Sequence, residues 1–139
     1  MNRIGRLMCL LALPCLCPLG QVQAATVGDT LSTPAMRSPQ AQHAVLLDLA
    51  RAGERLVAVG ERGIVLLSDD NGGSWRQAEV PVSVSLTAVQ FADASNGWAV
   101  GHAGVVLVSH DGGEHWAVQL DGRRAAQLEL QAARDDLPG

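Results

Sequence analysis

The 139-residue chain contains no lysine and no tyrosine, has one phenylalanine, and holds its three cysteines, Cys9, Cys15 and Cys17, close to the N-terminus. Each absence excludes something. Beyond the first two dozen residues there is no thiol, so neither a disulfide framework nor cysteine chemistry is open to the folded part. Without tyrosine there is no phenolic nucleophile. All ten basic residues are arginines, and they are scattered against 14 acidic ones for a net charge of −4. Loss of Arg3 and Arg6 with a cleaved leader would take that charge to −6. A mildly acidic chain without a basic cluster is not built for nucleic acid, whose binding rests on concentrated positive charge. Long apolar runs are missing too. The longest near the start, Leu7 to Leu13, is far short of the roughly 20 residues a spanning helix needs.

That short run has the surroundings of a secretory signal. Arg3 and Arg6 precede it, Pro14 and Pro18 end any helix, and Val22-Gln23-Ala24 places small residues where a signal peptidase reads. Cleavage is expected after Ala24, giving a periplasmic or extracellular protein with no stable membrane insertion of the mature chain. Lipid attachment at Cys15 or Cys17 is disfavoured, because Pro14 and Leu16 stand where a small residue would be needed. Residues 25–44, with Pro34 and Pro39 and no sustained period, read as a linker or as a segment that adds to a sheet edge.

An internal repeat dominates the remainder of the chain. The stretch Ala58 to Trp75 aligns without gaps on Ala99 to Trp116 at an offset of 41 residues, with ten of 18 pairs identical. A period near 40 with strand-like content is the length of a propeller blade. Four strands are expected in each repeat: Val45–Leu49, Leu56–Val59, Ile64–Leu67 and Trp75–Val80, then Leu86–Phe91, Trp98–Val100, Val105–Val108 and Trp116–Leu120. The third strands are apolar throughout, which marks strands buried on both faces. After Gly122, residues 123–139 begin with strong helix formers, and Asp121 is placed to cap a helix there.

Each repeat closes on the same short pattern, Ser68-x-Asp70-x-Gly72-x-x-Trp75 and Ser109-x-Asp111-x-Gly113-x-x-Trp116. A short carboxylate can accept backbone N–H groups inside a turn. A glycine can take the left-handed conformation that a tight hairpin requires. A tryptophan can fold back and bury its ring. The pattern resembles the Asp-box, or bacterial neuraminidase repeat, whose usual form has threonine before the tryptophan; Ser74 and His115 stand there. With the upstream run Phe91-Ala-Asp-Ala-Ser-Asn-Gly-Trp-Ala-Val-Gly101, the repeats are similar to the photosystem II stability/assembly factor family. That resemblance covers about residues 45–122. It implies an exported, seven-bladed Asp-box propeller that acts as an assembly chaperone for membrane complexes.

Sharper chemistry does not emerge. Asp-boxes are well known in sialidases, but sialidase chemistry uses a tyrosine nucleophile. Asp69-Asp70-Asn71-Gly72 lacks the glutamate that a calcium loop needs near its end. His102, His110 and His115 correspond to Glu61, Asp69 and Ser74 of the first repeat, as polar turn positions do. No phosphate loop or nucleophile elbow is present. The expectation is therefore an all-β chain: a signal at 1–24, a linker at 25–44, two four-stranded blades at 45–85 and 86–122 of a seven-bladed propeller, and the start of a C-terminal helix at 123–139, in an insertion cut short. Catalytic, cofactor and metal residues are expected to be none. The eight box residues Ser68, Asp70, Gly72, Trp75, Ser109, Asp111, Gly113 and Trp116 are expected to be structural, with both rings buried. The function expected is a non-catalytic scaffold that binds a protein partner in the envelope, its ring closed by further blades or by self-association. The alternative is the N-terminal part of a secreted sialidase-like glycoside hydrolase.

Overall fold

The computed structural model describes residues 29–136; the expected signal peptide and its cleavage site lie outside the described residues. Two antiparallel four-stranded meanders follow one another, β1-β2-β3-β4 and β5-β6-β7-β8. The first comprises β1 (Leu46–Ala52), β2 (Arg55–Gly60), β3 (Val65–Ser68) and β4 (Arg76–Gln77). The second comprises β5 (Leu86–Phe91), β6 (Gly97–Gly101), β7 (Val106–Ser109) and β8 (Ala117–Leu120). The first strands β1 and β5 lie side by side, so the sheets stack face to face as blades do.

The two blades share their irregularities. Both first strands carry a bulge, between Leu46 and Asp48 and between Leu86 and Ala88. Both second strands end in a glycine followed by a single 3-10 turn, Glu61–Gly63 and His102–Gly104, whose middle residue has positive φ (Arg62 54°, Ala103 57°). The glycines are required by close approach. A Cβ on Gly60 would collide with the Val45 carbonyl oxygen, and one on Gly101 with that of Ser85. These contacts reveal that β1 and β5 correspond at an offset of 40, with Val45 matching Ser85. The difference from 41 arises in the hairpins. Gly53-Glu54 joins β1 to β2, whereas a loop through Asp93, Ala94 and Ser95 joins β5 to β6. Asp93 Oδ1 accepts from Ser95 N at 2.8 Å and Asn96 N at 2.7 Å, a side chain holding the longer turn.

The core lies between the blades. Val57, Val59, Val65 and Leu67 of the first blade meet Leu86, Ala99, Val105, Leu107 and Trp116 of the second, with Val82 and Val84 of the connection between them. By the roughly 25 cal/mol per Å² that apolar burial contributes, this interface is the main source of stability.

Two expectations need correction. Strand β4 is two residues long rather than running from Trp75 to Val80, because the pairing with β3 ends where Ala78 N donates to Val65 O at 2.9 Å, and Glu79 N then turns to Glu114 O of the second blade at 3.4 Å. The third strand of the second blade is not buried on both faces: Val106 and Val108 are half-buried, since among the described residues no further sheet lies over them. The helix α1 (Gly122–Asp135) forms, with Asp121 Oδ1 accepting from Arg124 N at 2.9 Å. It buries no residue, although alanine and leucine occupy much of its circumference. The N-terminal segment from Asp29 follows the outer side of the first blade. Ala35 N donates to Val80 O at 3.0 Å, and Gln77 holds Met36 O and Ser38 N through its side-chain amide.

Candidate functional site

The box residues build two matching turns between the third and fourth strands. In the first, Ser68 is buried; its hydroxyl donates to Asp70 Oδ1 at 2.9 Å and accepts from Gly72 N at 2.8 Å. Asp70 Oδ1 also accepts from Ser74 N at 2.7 Å, and Asp70 Oδ2 from the Ser74 hydroxyl at 2.6 Å. In the second, Ser109 is buried, donates to Asp111 Oδ1 at 2.9 Å and accepts from Gly113 N at 2.9 Å. Asp111 Oδ1 accepts from His115 N at 3.0 Å, and Asp111 Oδ2 lies 2.7 Å from His115 Nδ1. Serine and aspartate thus satisfy backbone donors that the turn would leave unpaired. Gly72 and Gly113 have φ of 92° and 88°, a region that β-carbon-bearing residues avoid.

The electrostatics follow the same contacts. The Ser74 hydroxyl and backbone N–H, with Ser68, hold the Asp70 carboxyl down at about 2. For Asp111, burial pushes upward but is outweighed by the His115 backbone and ring and by Ser109, so the carboxyl lies below its ordinary value. The Asp111 carboxylate raises the pKa of His115 in return. Both aspartates are ionised and engaged inside their own turns, so neither presents a free carboxylate to a substrate. Among the described residues no group of histidines, aspartates and glutamates is arranged to hold a metal ion.

The tryptophans differ. Trp116 is buried; its Nε1 donates to Gly113 O at 2.9 Å, and its ring meets Phe91 edge-on at 6.0 Å. Trp75 is only half-buried. The expected burial fails there because, among the described residues, the face it shares with Ala58, Ile64 and Leu66 is packed by Ala41 and Ala44 of the N-terminal segment and not by a second sheet.

An ionic cluster that sequence reasoning missed fastens the second box to the first blade. Arg55 Nε binds Asp69 Oδ1 at 2.5 Å, and Arg55 Nη1 lies 3.0 Å from Glu114 Oε1 and donates to Gly112 O at 3.2 Å. Arg76 Nη1 donates to Glu114 Oε2 at 2.6 Å and Arg76 Nη2 to Asp69 Oδ2 at 3.2 Å. Arg76 holds the Glu114 carboxyl below its ordinary value, and Arg55 does the same for Asp69. Sequence signal for it was faint: Glu114 replaces the Gly73 of the first box, the one place where the second turn gains a charge. On the inner side Asp48 Oδ2 accepts from Val89 N at 2.8 Å, a second polar tie between the blades. Beside Trp116, a cleft of about 400 Å³ opens between Pro34–Arg37 and Ala78–Pro81.

Comparison with known proteins agrees with this geometry. A family model described as Photosynthesis system II assembly factor YCF48 matches residues 71–134. No curated protein matches the chain. Among solved structures, one described as YCF48 bound to D1 peptide is 25% identical with a TM-score of 0.50, over 56% of this chain and 27% of its own. YCF48 from Cyanidioschyzon merolae is 26% identical with a TM-score of 0.46, over 55% of this chain and 27% of its own. The chain spans about a quarter of the length of these solved relatives. It resembles a photosystem II assembly factor-like Asp-box propeller.

Proposed function

We propose, from the premise that these are blades of an assembly factor-like Asp-box propeller, that the chain serves as a non-catalytic, exported scaffold that binds a protein partner. Its partner would be a membrane or envelope complex whose assembly or stability it aids. The observation that carries this reading is the solved neighbour described as YCF48 bound to D1 peptide. The boxes support it from the other side, since their carboxylates are used up in holding turns. The cleft beside Trp116, lined by Pro34, Val80 and Pro81 together with Arg37, Glu79 and His115, is of a size to take a few side chains of an extended segment. The resemblance implies seven blades, and two blades making up 27% of the neighbour's chain fit that ring size. The leader with its Ala24 site supports a periplasmic or extracellular location.

The test is capture from a native envelope fraction, with the tagged chain cross-linked before solubilisation. Stoichiometric recovery of a membrane-complex subunit supports the reading. Recovery of nothing beyond controls, or sialidase or glycanase activity in the purified protein, overturns it. N-terminal sequencing of the exported form should begin at Ala25.

A further inference from the structure

The N-terminal segment is itself a short peptide held on the outer side of the first blade, and the way it is held can be read off. It opens in a turn that Asp29 closes, its carboxylate accepting from Leu31 N at 3.2 Å and from the Ser32 hydroxyl at 2.7 Å. From there it runs antiparallel to the connection between the blades. Ser83 N donates to Thr30 O at 2.8 Å, and Ala35 N to Val80 O at 3.0 Å. The remaining ties are side-chain contacts. Gln77 grips Met36 O and Ser38 N through its amide. Arg123 binds Asp29 at 2.7 Å, and Arg37 lies 3.5 Å from Glu79.

These ties are weak ones. Strands β1 and β2 pair at six positions, whereas the segment exchanges two backbone bonds with the connection. The side chains of both ion pairs are between 47% and 66% exposed, where such pairs contribute little. A cleft of about 400 Å³ opens between Pro34 and Arg37 on one side and Val80 and Pro81 on the other. A region with few buried contacts and solvent-exposed bonds opens locally long before the fold does.

We propose that residues 29–38 form an exchangeable strap, and that a segment of a partner protein takes their place on Val80 and Ser83. This rests on the reading above that the chain binds a protein partner, and it names where and by what chemistry. Main-chain bonds supply the affinity and side-chain places the selectivity, as in other modes of peptide capture. The strap shows what those places accept. Arg123 calls for an aspartate that also closes a turn. The place of Leu31 packs against the core and calls for an aliphatic residue. The Ala35 Cβ lies 3.2 Å from where a Cβ on Gly63 would stand, so a small residue is needed there. Glu79 calls for a basic residue two positions later. The incoming segment therefore carries acidic, aliphatic, small and basic residues at the spacing of Asp29, Leu31, Ala35 and Arg37.

The probe is a fluorescent peptide of residues 29–38, titrated into the full chain and followed by anisotropy. The chain's own strap competes as an intramolecular ligand, so its grip limits binding of the peptide. Asp29→Ala with Arg37→Ala in the chain removes both ionic ties from the strap and leaves Arg123 and Glu79 for the peptide. This double variant is expected to bind the peptide about three- to ten-fold more tightly than wild type, the gain fading in high salt. A scrambled peptide should not bind. Hydrogen exchange should show the strap exchanging faster than β2 and β3, with those strands unchanged in the double variant as evidence of its fold. Equal affinity of the two chains, binding by neither, binding of the scrambled peptide, or a strap as slow as β2 overturns the proposal. In the envelope capture, excess peptide should release the partner. A partner that stays bound leaves the proposed function standing and overturns the strap as its site. A chain that binds the peptide as expected but captures nothing supports the exchangeable site and overturns that function.

Discussion

The two blades carry nearly the same residues at matched positions, yet those residues live in different surroundings. Leu86 is fully buried while its counterpart Leu46 is 41% exposed, and Val89 is 7% exposed while Leu49 is 54%. The reverse holds on the opposite faces, where Val57 is fully buried and Trp98 is not. Burial in such an array is set by position rather than by the repeat unit, because each unit has only its neighbours to pack on. The comparison separates what a blade supplies from what the adjacent blade supplies. Serine, aspartate and glycine of the box make equivalent hydrogen bonds in both turns, so the turn is intrinsic. The tryptophan's environment is borrowed.

The largest expected effect breaks the comparison at the tryptophans. Trp116→Ala removes a ring buried in the interface and its bond to Gly113 O, and should destabilise by about 3–5 kcal/mol. Trp75→Ala removes a half-buried ring and should cost about 1–2 kcal/mol. Urea denaturation of both variants measures the difference. Equal losses would mean that the open face of the first blade is covered in solution.

Much of this fold was legible in the sequence, and the limits have physical causes. The 41-residue repeat located the strands, since glycines and apolar runs recur wherever the same backbone recurs. It misplaced the end of β4, because Ala78 and Val80 are as apolar as strand residues, yet the pairing with β3 ends at the bond from Ala78 N to Val65 O and Val80 is buried in the core between the blades. The box chemistry was readable because serine, aspartate and glycine act on backbone within a few residues. The Arg55–Asp69–Arg76–Glu114 cluster was not, since the contacts that carry it to Glu114 and to Gly112 O join residues 38 and 57 apart across a seam. Nor could pattern alone assign Trp75 and Trp116 different burial, because both satisfy the same motif.

A smaller effect sharpens the contrast at the serines. Ser109→Ala leaves the buried N–H of Gly113 without its acceptor, at about 1–3 kcal/mol. Ser68→Ala should cost about 1 kcal/mol, because the Gly72 N–H that it serves is only partly buried. Smaller again is the ionic tie. Glu114→Gln takes away the carboxylate shared by Arg55 and Arg76, groups that are 22% and 47% exposed. Solvent screening limits the loss to about 0.5–1 kcal/mol, and the loss should shrink in high salt. Thermal melts at low and high ionic strength check this, and a loss insensitive to salt would mean that Glu114 acts through packing.

The smallest effect lies in pH, where the boxes differ by one residue. Asp70 is served by serine and Asp111 by His115. Both carboxyls are lowered, so each turn contributes stability that is present above the unfolded carboxylate value of about 3.9. That contribution is lost as pH falls through the folded value, about 2 for Asp70. Only the second box has a further transition. The His115 pKa is raised by Asp111, so its contribution is complete below the unfolded histidine value of about 6.5. It is lost as pH rises through the higher folded value. The imidazole is fully exposed, so the effect is a small drop in Tm between mildly acidic and mildly alkaline buffer. His115→Ser turns the second box into the first and should abolish that drop while leaving the acid limb intact. If the drop survives His115→Ser, another group titrates and the ring is only a hydrogen-bonding substitute for the serine hydroxyl.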